Sequence, residues 1–395
     1  MLFAQGGSNY SALGIGQINF NGNAAYQGLN GVSIAFPDQD AINPNNPALW
    51  TKATKTRLLT GYTFNQHLNE NSEHTLFQNN GSISGLSALF SIDTGRGISA
   101  SLGFVPYSRV KYYFSTPVNV EVDGETVEGS AFYQGSGGLN NAYIGTAFRV
   151  MDDLSVGISA LYTFGSIQKL NSVEMIGDVS TFNTYVHRND FFTGVGYQAG
   201  LYYEGIKNWG FGVYLEDHGT LDLDRDISYF TINPREGDTV VTSDDSYAMP
   251  FSFGLGTSYK TGKFIFGADF SMHNFSNLEY NKNSYTQFRD AMQFAVAMNS
   301  IGNDDYYAPL LDKISYKAGL AYKQQYFSVY GEDIDELSAS IGFKIPLGDA
   351  GIIDAAVVFG KKGTTANSLV NEYFGRLAVD ISIGETWFKP FRRRY

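Results

Sequence analysis

Three aspartates in the segment "LDLDRD" have a spacing suited to metal chemistry. Asp222, Asp224 and Asp226 stand at alternate positions, like the first three ligands of a calcium loop. The segment lacks the glycine and the distal glutamate that complete an EF-hand. We therefore interpret 222–226 as a solvated acidic loop, with cation binding as the alternative.

One sequence candidate for acid–base catalysis is the adjacent pair Asp217 and His218. Neighbouring side chains on a strand point to opposite faces, and no serine partner completes a triad with this pair. All five histidines are expected in loops or near the outer rim; they are His67, His74, His187, His218 and His273. The chain has no cysteine, which excludes a thiolate metal site. We predict that the protein is not an enzyme and has no cofactor or metal.

Basic side chains are candidates for a ligand-binding site, because a Lys or Arg side chain in an apolar setting can bind the carboxylate of a ligand. Arg109, Arg149 and Arg376 are our candidate lumen charges, together with Lys111, Lys317 and Lys344. Binding to nucleic acid depends on clustered Lys and Arg that neutralise phosphates. The net charge of −12 argues against nucleic acid as a partner.

Alternation of apolar and small residues predicts the elements that position these side chains. In "LSVGISALYTF" at 154–164, every second residue from Leu154 to Phe164 is apolar. Eleven residues match a tilted strand that crosses a bilayer, which needs about 9–11. The chain has no run of 18 apolar residues, so a transmembrane helix is excluded. Its 57 Tyr and Phe (27 and 30) and its 17% of charged residues leave few polar side chains for a water-facing surface.

The alternation recurs often enough to predict an all-β fold, a transmembrane antiparallel barrel of 14 strands between residues 56 and 388. The predicted strands are 56–65, 82–92, 97–114, 133–148, 154–166, 192–204, 207–217, 251–260, 263–273, 290–300, 314–323, 337–345, 352–360 and 372–384. An even number lets a barrel close without a free edge in lipid. Short turns such as "KTG" alternate with long polar links such as 115–132, 167–191 and 218–250, which places the turns in the periplasm and the links outside.

About 55 residues precede the first strand. Residues 1–5 resemble the end of a secretory signal, and "QDAINPNNPALW" at 39–50 contains two prolines and three asparagines. Irregular backbone at membrane depth is tolerated only inside protein or a polar lumen. We predict that 1–55 forms a hatch, or plug, inside the barrel, and that the basic tail 389–395 lies at the periplasmic surface.

Several fragments resemble the FadL/OMPP1/TodX family of outer-membrane proteins, in the form found in Bacteroidetes. They are "YSALGIGQINF" at 10–20, "GLNGVSIAFPDQDAINPNNPAL" at 28–49, "FVPYSRVKYYF" at 104–114, "GSGGLNNAYIGTAFRV" at 135–150 and "EYFGRLAVDISIGETWFKPF" at 372–391. The resemblance implies a hatch motif at Asn46, Pro47 and Ala48. It also implies a wall gap at the third strand, where Pro106 cannot donate a ladder hydrogen bond, so we place the gap at Pro106 and Tyr107.

The resemblance implies a function in the outer membrane of a Gram-negative bacterium, namely passive uptake of hydrophobic, fatty-acid-like molecules by lateral diffusion. The chain departs from the family at 27–31, where a Met-Gly-Gly run is common and Gln-Gly-Leu-Asn-Gly stands instead. The alternative is a non-transporting barrel subunit of an outer-membrane assembly or secretion complex, which docks other barrels or surface lipoproteins. Partners are accordingly outer-membrane lipid with either a hydrophobic small molecule or other outer-membrane proteins. A continuous apolar cavity favours transport, and a filled lumen favours the subunit.

Overall fold

Antiparallel strands form most of the chain beyond residue 55 in a computed structural model, which describes residues 6–20, 22–71, 75–122, 125–175, 183–230, 239–303, 305 and 307–388. The predicted signal remnant 1–5 and basic tail 389–395 lie outside the described residues. The strands are β1 Thr56–Glu70, β2 Thr75–Asp93, β3 Ile98–Pro106 with Ser108–Val122, β4 Glu125–Met151, β5 Leu154–Met175, β6 Thr184–Tyr203, β7 Trp209–Asp217 with Thr220–Phe230, β8 Thr239–Ala248 with Ser252–Thr261, β9 Phe264–His273, β10 Thr286–Phe288 with Ala291–Ser300, β11 Ser315–Val329, β12 Glu332–Leu347, β13 Gly351–Lys362 and β14 Asn371–Glu385.

These fourteen strands close into one barrel, as predicted. Each strand pairs with the next along the chain, and β14 pairs with β1 over its full length, from Asn371 opposite Glu70 to Glu385 opposite Thr56. Closure removes the free edges that lipid cannot satisfy. No helix in the described part of the chain is long and apolar enough to cross a membrane.

Side-chain alternation separates a lipid face from a lumen face. On β14, Leu377, Ile381 and Ile383 point outward and are 47–59% exposed, whereas Asp380 and Ser382 point inward and are buried. At the short-turn rim, Trp209 packs against Tyr259 with ring centroids 4.8 Å apart. Aromatic side chains at this level form the interfacial girdle typical of outer-membrane barrels.

Several strands are much longer than predicted on the long-loop side. β4 has 27 residues and β5 has 22, about twice what a bilayer crossing requires. The links predicted at 115–132, 167–191 and 218–250 are therefore largely strand, which corrects the sequence interpretation. Outside the bilayer the outward face need not be apolar, so alternation weakens while the backbone ladder continues.

Short elements complete the fold. Residues 6–55, the N-terminal segment, contain 3-10 turns Asn9–Ala12 and Pro47–Lys52, the two-residue strand Gln17–Ile18 and helix α1, Ala24–Gln27. Elsewhere lie 3-10 turns Phe275–Asn277 and Ala366–Ser368, and helix α2, Leu310–Lys313, in the longest turn of the short-turn rim. The N-terminal segment contacts inward-facing residues of the wall, which is consistent with the predicted hatch.

Candidate functional site

The predicted hatch motif lies against the wall at β6. Asn46 caps the 3-10 turn that Pro47 begins, and its Oδ1 accepts from the Ala48 amide at 3.0 Å. Its Nδ2 donates to the Ile34 carbonyl at 2.7 Å and to the Leu201 carbonyl of β6 at 3.0 Å. Asn46 is fully buried. One side chain thus joins two stretches of the N-terminal segment to each other and to the barrel.

Glycines on the inward face let this backbone approach the wall. A methyl group on Gly200 would lie 2.0 Å from Asn46 Oδ1, and one on Gly157 would lie 2.4 Å from the Pro47 carbonyl carbon. Other strands repeat the arrangement with Gly212 on β7, Gly256 on β8, Gly267 on β9, Gly319 on β11 and Gly342 on β12. A belt of wall glycines therefore surrounds the N-terminal segment, which gives one structural reason for the chain's 44 glycines.

Wall carboxylates bind backbone amides of the N-terminal segment. Asp269 of β9 accepts from the amides of Ser33 and Ile34 at 2.6 and 2.8 Å. Glu372 of β14 accepts from the Asn9 amide and the Ser8 hydroxyl, both at 2.6 Å. These hydrogen bonds thus fix the same segment to two strands, β9 and β14, that are not neighbours in the barrel.

Ion pairs fix the segment to the strands that lie between β9 and β14. Lys317 of β11 lies 3.0 Å from Asp354 of β13 and 3.6 Å from Asp38 of the N-terminal segment. Lys344 of β12 also pairs with Asp38. Burial alone would raise the pKa of the Asp38 carboxyl, but the charges of Lys344 and Lys317 outweigh burial and hold that pKa well below its usual range. Lys317 and Lys344, two of the predicted lumen cations, are therefore neutralised within the protein.

Pro106 and Tyr107 lie where β3 is interrupted. Pairing with β4 runs to Pro106 opposite Asn140 and resumes at Val110 opposite Gly137. Between them, the Ser108 hydroxyl accepts from the Leu139 amide at 3.2 Å and donates to the Ile15 carbonyl at 2.8 Å. The break is thus filled by a side chain that joins the wall to the N-terminal segment.

A wider opening begins beside this break. Among the described residues, the ladder between β2 and β3 ends at Leu86 opposite Phe104. Beyond it, residues 75–85 of β2 and 108–122 of β3 share no ladder pairing; we call this unpaired stretch the β2–β3 opening. Gln17–Ile18 of the N-terminal segment pairs with the free edge of β3 at Arg109 and Ser108. Two side chains also cross the opening, with Gln78 Nε2 donating to the Tyr113 carbonyl at 2.7 Å and Arg109 Nη2 to the Ile83 carbonyl at 2.8 Å.

The space left in the lumen is small or polar. A cavity of about 90 Å³ adjoins Pro106 and Tyr107 and is lined by the N-terminal segment and by Asn141, Glu216 and His273. An engineered apolar cavity that binds benzene has a volume of about 150 Å³. A second cavity, of about 290 Å³, lies behind the β2–β3 opening. Polar and charged side chains predominate in its lining, so neither cavity forms an apolar path.

An apolar core occupies the long-loop end of the barrel. Buried side chains from the N-terminal segment, the strand extensions and the β9–β10 link pack together there; they include Tyr10, Ile15, Tyr112, Ile167, Phe192, Leu223, Phe275 and Tyr280. Phe192 and Tyr280 meet edge to face with centroids 5.0 Å apart. This end is packed like a protein interior.

The structure separates the three candidate arginines. Arg109 and Arg376 line the same 290 Å³ cavity. Arg149 lies at the short-turn end of β4, where Nη1 donates to the Gly95 carbonyl at 3.4 Å. The sequence interpretation placed all three in the lumen because it used only the face that each side chain takes and not its depth along the barrel.

The acidic segment at 222–226 is a strand and not a loop. Asp222, Asp224 and Asp226 belong to β7 and face outward, and Asp224 lies directly opposite Asp244 of β8. No group of three or more metal-ligating side chains occurs among the described residues. The loop interpretation was wrong because β7 continues beyond the bilayer.

Sequence reasoning missed a buried polar network beside Tyr107. His218 Nε2 lies 2.8 Å from Glu216 Oε1, and its Nδ1 lies 2.9 Å from Thr163 Oγ1. His218 is fully buried in the link between the two segments of β7, and His67 and His273 are buried near the outer ends of β1 and β9. The i, i+2 spacing of Glu216 and His218 on one strand face was the available signal. His187 lies in the outer part of β6, and His74 lies outside the described residues.

The fold and the interior segment together define an outer-membrane β-barrel of the FadL/TodX type. Solved structures that match include the CymD monoaromatic hydrocarbon channel (15% identity, 94% of this chain and 100% of that chain, TM-score 0.63) and a Pseudomonas aeruginosa FadL homologue (14%, 95% and 100%, 0.64). The Ralstonia pickettii toluene transporter TbuX matches similarly (15%, 93% and 99%, 0.61). At these identities the likeness concerns the fold.

The family itself is a different one. A model of the BamG family matches residues 1–395, and the chain belongs to the BamG family. No curated protein matches the chain. The resemblance to the FadL/OMPP1/TodX family therefore holds for the architecture and not for the family, and its Bacteroidetes form stays a prediction.

Proposed function

We propose that this chain is a non-enzymatic, non-conducting barrel that acts as the membrane-embedded subunit of a larger outer-membrane protein assembly, where it docks other barrels or surface lipoproteins. The main observation behind this proposal is what occupies the lumen. The N-terminal segment occupies it, the cavity at the strand break has a volume of about 90 Å³, and the larger cavities behind the β2–β3 opening and at the short-turn end are lined mainly by polar and charged side chains. A route for an apolar solute needs continuous apolar surface, because burial of that surface supplies the affinity, at roughly 25 cal/mol per Å².

The attachment of the N-terminal segment supports the same proposal. Asp269, Glu372, Lys317 and Lys344 hold it from four strands, and Asn46 holds it at a fifth. Displacing the segment requires these bonds to break together while buried charges lose their partners, at about 3–5 kcal/mol for each stranded charge. A subunit benefits from such a rigid barrel, whereas a channel needs a segment that moves.

Passive uptake of hydrophobic molecules is the second candidate. It is supported by the likeness in fold to hydrocarbon channels and by the interrupted strand at Pro106. In this alternative, the solute leaves sideways through the β2–β3 opening, after the N-terminal segment has moved. Gln78 and Arg109, which cross the opening, would have to release their carbonyl partners first.

One pair of measurements tests both candidates. The tagged chain is extracted from its native membrane in mild detergent, and the mass and stoichiometry of what it carries are determined by native mass spectrometry. The purified barrel is also placed in liposomes and assayed for toluene entry, with TbuX as the positive control. We expect an assembly of fixed stoichiometry and no entry above empty liposomes. A solitary barrel that admits toluene as TbuX does would contradict the proposal and support uptake.

A further inference from the structure

The 290 Å³ cavity behind the β2–β3 opening has an unusual charge balance. Four cationic side chains line it, and one carboxylate; they are Arg109, Lys111, Lys323, Arg376 and Glu336. We call this cavity the cationic chamber. Lys323 and Glu336 lie 3.5 Å apart and offset each other. The remaining charge is positive, and Arg109 and Lys111 carry part of it on β3, beside the opening.

Two guanidinium groups in the chamber have only neutral partners. Arg376 Nε donates to Asn65 Oδ1 at 2.8 Å, and the group lies 5.9 Å from the Phe374 ring. Arg109 Nη2 donates to the Ile83 carbonyl at 2.8 Å. Among the described residues neither forms an ion pair. Since an uncompensated charge away from bulk water is costly, an anion in the chamber would stabilise both.

Neutral groups of the chamber also have unused polar atoms. His67 is 4% exposed and Gln27 is 3% exposed, and both line the chamber. His67 Nδ1 and Gln27 Oε1 have no hydrogen-bond partner among the described residues. Buried polar atoms are normally paired with protein or water. Unsatisfied atoms beside two unpaired guanidiniums point to an occupant that is polar and able to accept and organise hydrogen bonds.

We propose that the cationic chamber is a binding site for a phosphate-type oxyanion, reached through the β2–β3 opening. The planar guanidinium fork matches the oxygens of a phosphate in a bidentate way, and about 290 Å³ accommodates such a group with several waters, each of about 30 Å³. An acyl chain is apolar and would leave the charged and polar side chains of the chamber without hydrogen-bond partners. The oxyanion is either free phosphate or the phosphate of an anionic lipid headgroup at the wall.

The inference is independent of the barrel's role in an assembly, because it uses only the chamber and its opening. Phosphate binding is measured by isothermal titration calorimetry on the intact barrel in non-ionic detergent, with sodium phosphate titrated at constant ionic strength. A second sample in nanodiscs compares phosphatidylglycerol with phosphatidylcholine by native mass spectrometry. Variants Arg376→Gln and Arg109→Gln remove one guanidinium each, Arg376→Lys keeps the charge without the fork, and Arg96→Gln is the control, since Arg96 is 82% exposed at a periplasmic turn.

We expect saturable binding that weakens at least about tenfold in each glutamine variant, or about 1.4 kcal/mol, less in Arg376→Lys, and not in Arg96→Gln. Phosphate binding to lipid-free barrel identifies the free ion, whereas retention of phosphatidylglycerol that blocks phosphate identifies the headgroup. Variants are first checked for folding by their heat-dependent shift in SDS gels. The inference is overturned if neither probe binds, or if folded Arg376→Gln and Arg109→Gln bind as the wild type does.

Discussion

Substitution of Asn46 by aspartate keeps the shape of a fully buried side chain but replaces its hydrogen-bond donor, Nδ2, by an acceptor oxygen. Nδ2 donates to the carbonyls of Ile34 and Leu201, and a carboxylate oxygen in its place would face two acceptors. Each lost hydrogen bond contributes about 0.5–1.5 kcal/mol. The buried charge without a partner destabilises the docked segment more strongly, by about 3–5 kcal/mol. Docking of the N-terminal segment should weaken by about the latter amount.

Hydrogen–deuterium exchange measures this effect directly. At 1.4 kcal/mol per tenfold, amides of residues 28–53 in Asn46→Asp should exchange faster by a factor on the order of 10²–10³, while amides of β11 to β14 keep their wild-type rates. The control is Asn119→Asp, an identical change at an exposed position of β3. Unchanged exchange at 28–53 in a folded Asn46→Asp barrel would refute the view that this side chain fixes the segment to the wall.

Two further predictions concern the same attachment. Gly200→Ala places a methyl group 2.0 Å from the Asn46 amide oxygen. This overpacking should weaken docking of the segment by about 1–3 kcal/mol, which is measured as faster exchange at 28–53. The control is Gly375→Ala, whose methyl group meets nothing closer than 3.8 Å and which should leave exchange unchanged. Asp38 has a lowered pKa, so its contribution to docking is complete above the unfolded pKa of about 3.9 and is lost progressively as the pH falls from that value through the lower pKa of the docked state. Asp38 should therefore add no pH dependence between pH 7 and pH 5, and the pH profile of exchange at 28–53, corrected for intrinsic rates, should have the same shape in Asp38→Asn as in the wild type. A rise toward pH 5 in the wild type that Asp38→Asn lacks would show that the pairing with Lys344 and Lys317 is absent.

The barrel could be predicted from the sequence because lipid imposes a local rule. Every outward side chain within the bilayer must be apolar, as Leu377 and Ile381 are, and that need repeats at every second residue. The number of strands, their order and the rim that carries the tight turns follow from counting such stretches. Pro106 marked the interruption of β3 for an equally local reason, since proline has no amide to donate.

Beyond the bilayer, lipid no longer constrains the outward face, and the sequence no longer shows the alternation that predicts a strand. β4 and β5 continue beyond the bilayer through hydrogen bonds to each other, and backbone pairing leaves no mark on residue types. The links predicted as loops, and the acidic strand at 222–226, were misassigned for this reason. The division of the chain at residue 55 and the roles assigned to Asn46, Pro106 and Tyr107 stay predictions, with which the described contacts are consistent.

The interior was decided by tertiary structure alone. The Ser8 hydroxyl meets Glu372 across 364 positions of sequence, and Arg109 and Arg376 reach one chamber from strands that are far apart in the chain. Alternation tells which side chains face inward but not which of them meet, because depth and neighbours depend on how fourteen strands are staggered around the barrel. The amino-acid sequence by itself therefore determined the wall, and only the closed barrel, packed around its own N-terminal segment, determined what the wall encloses.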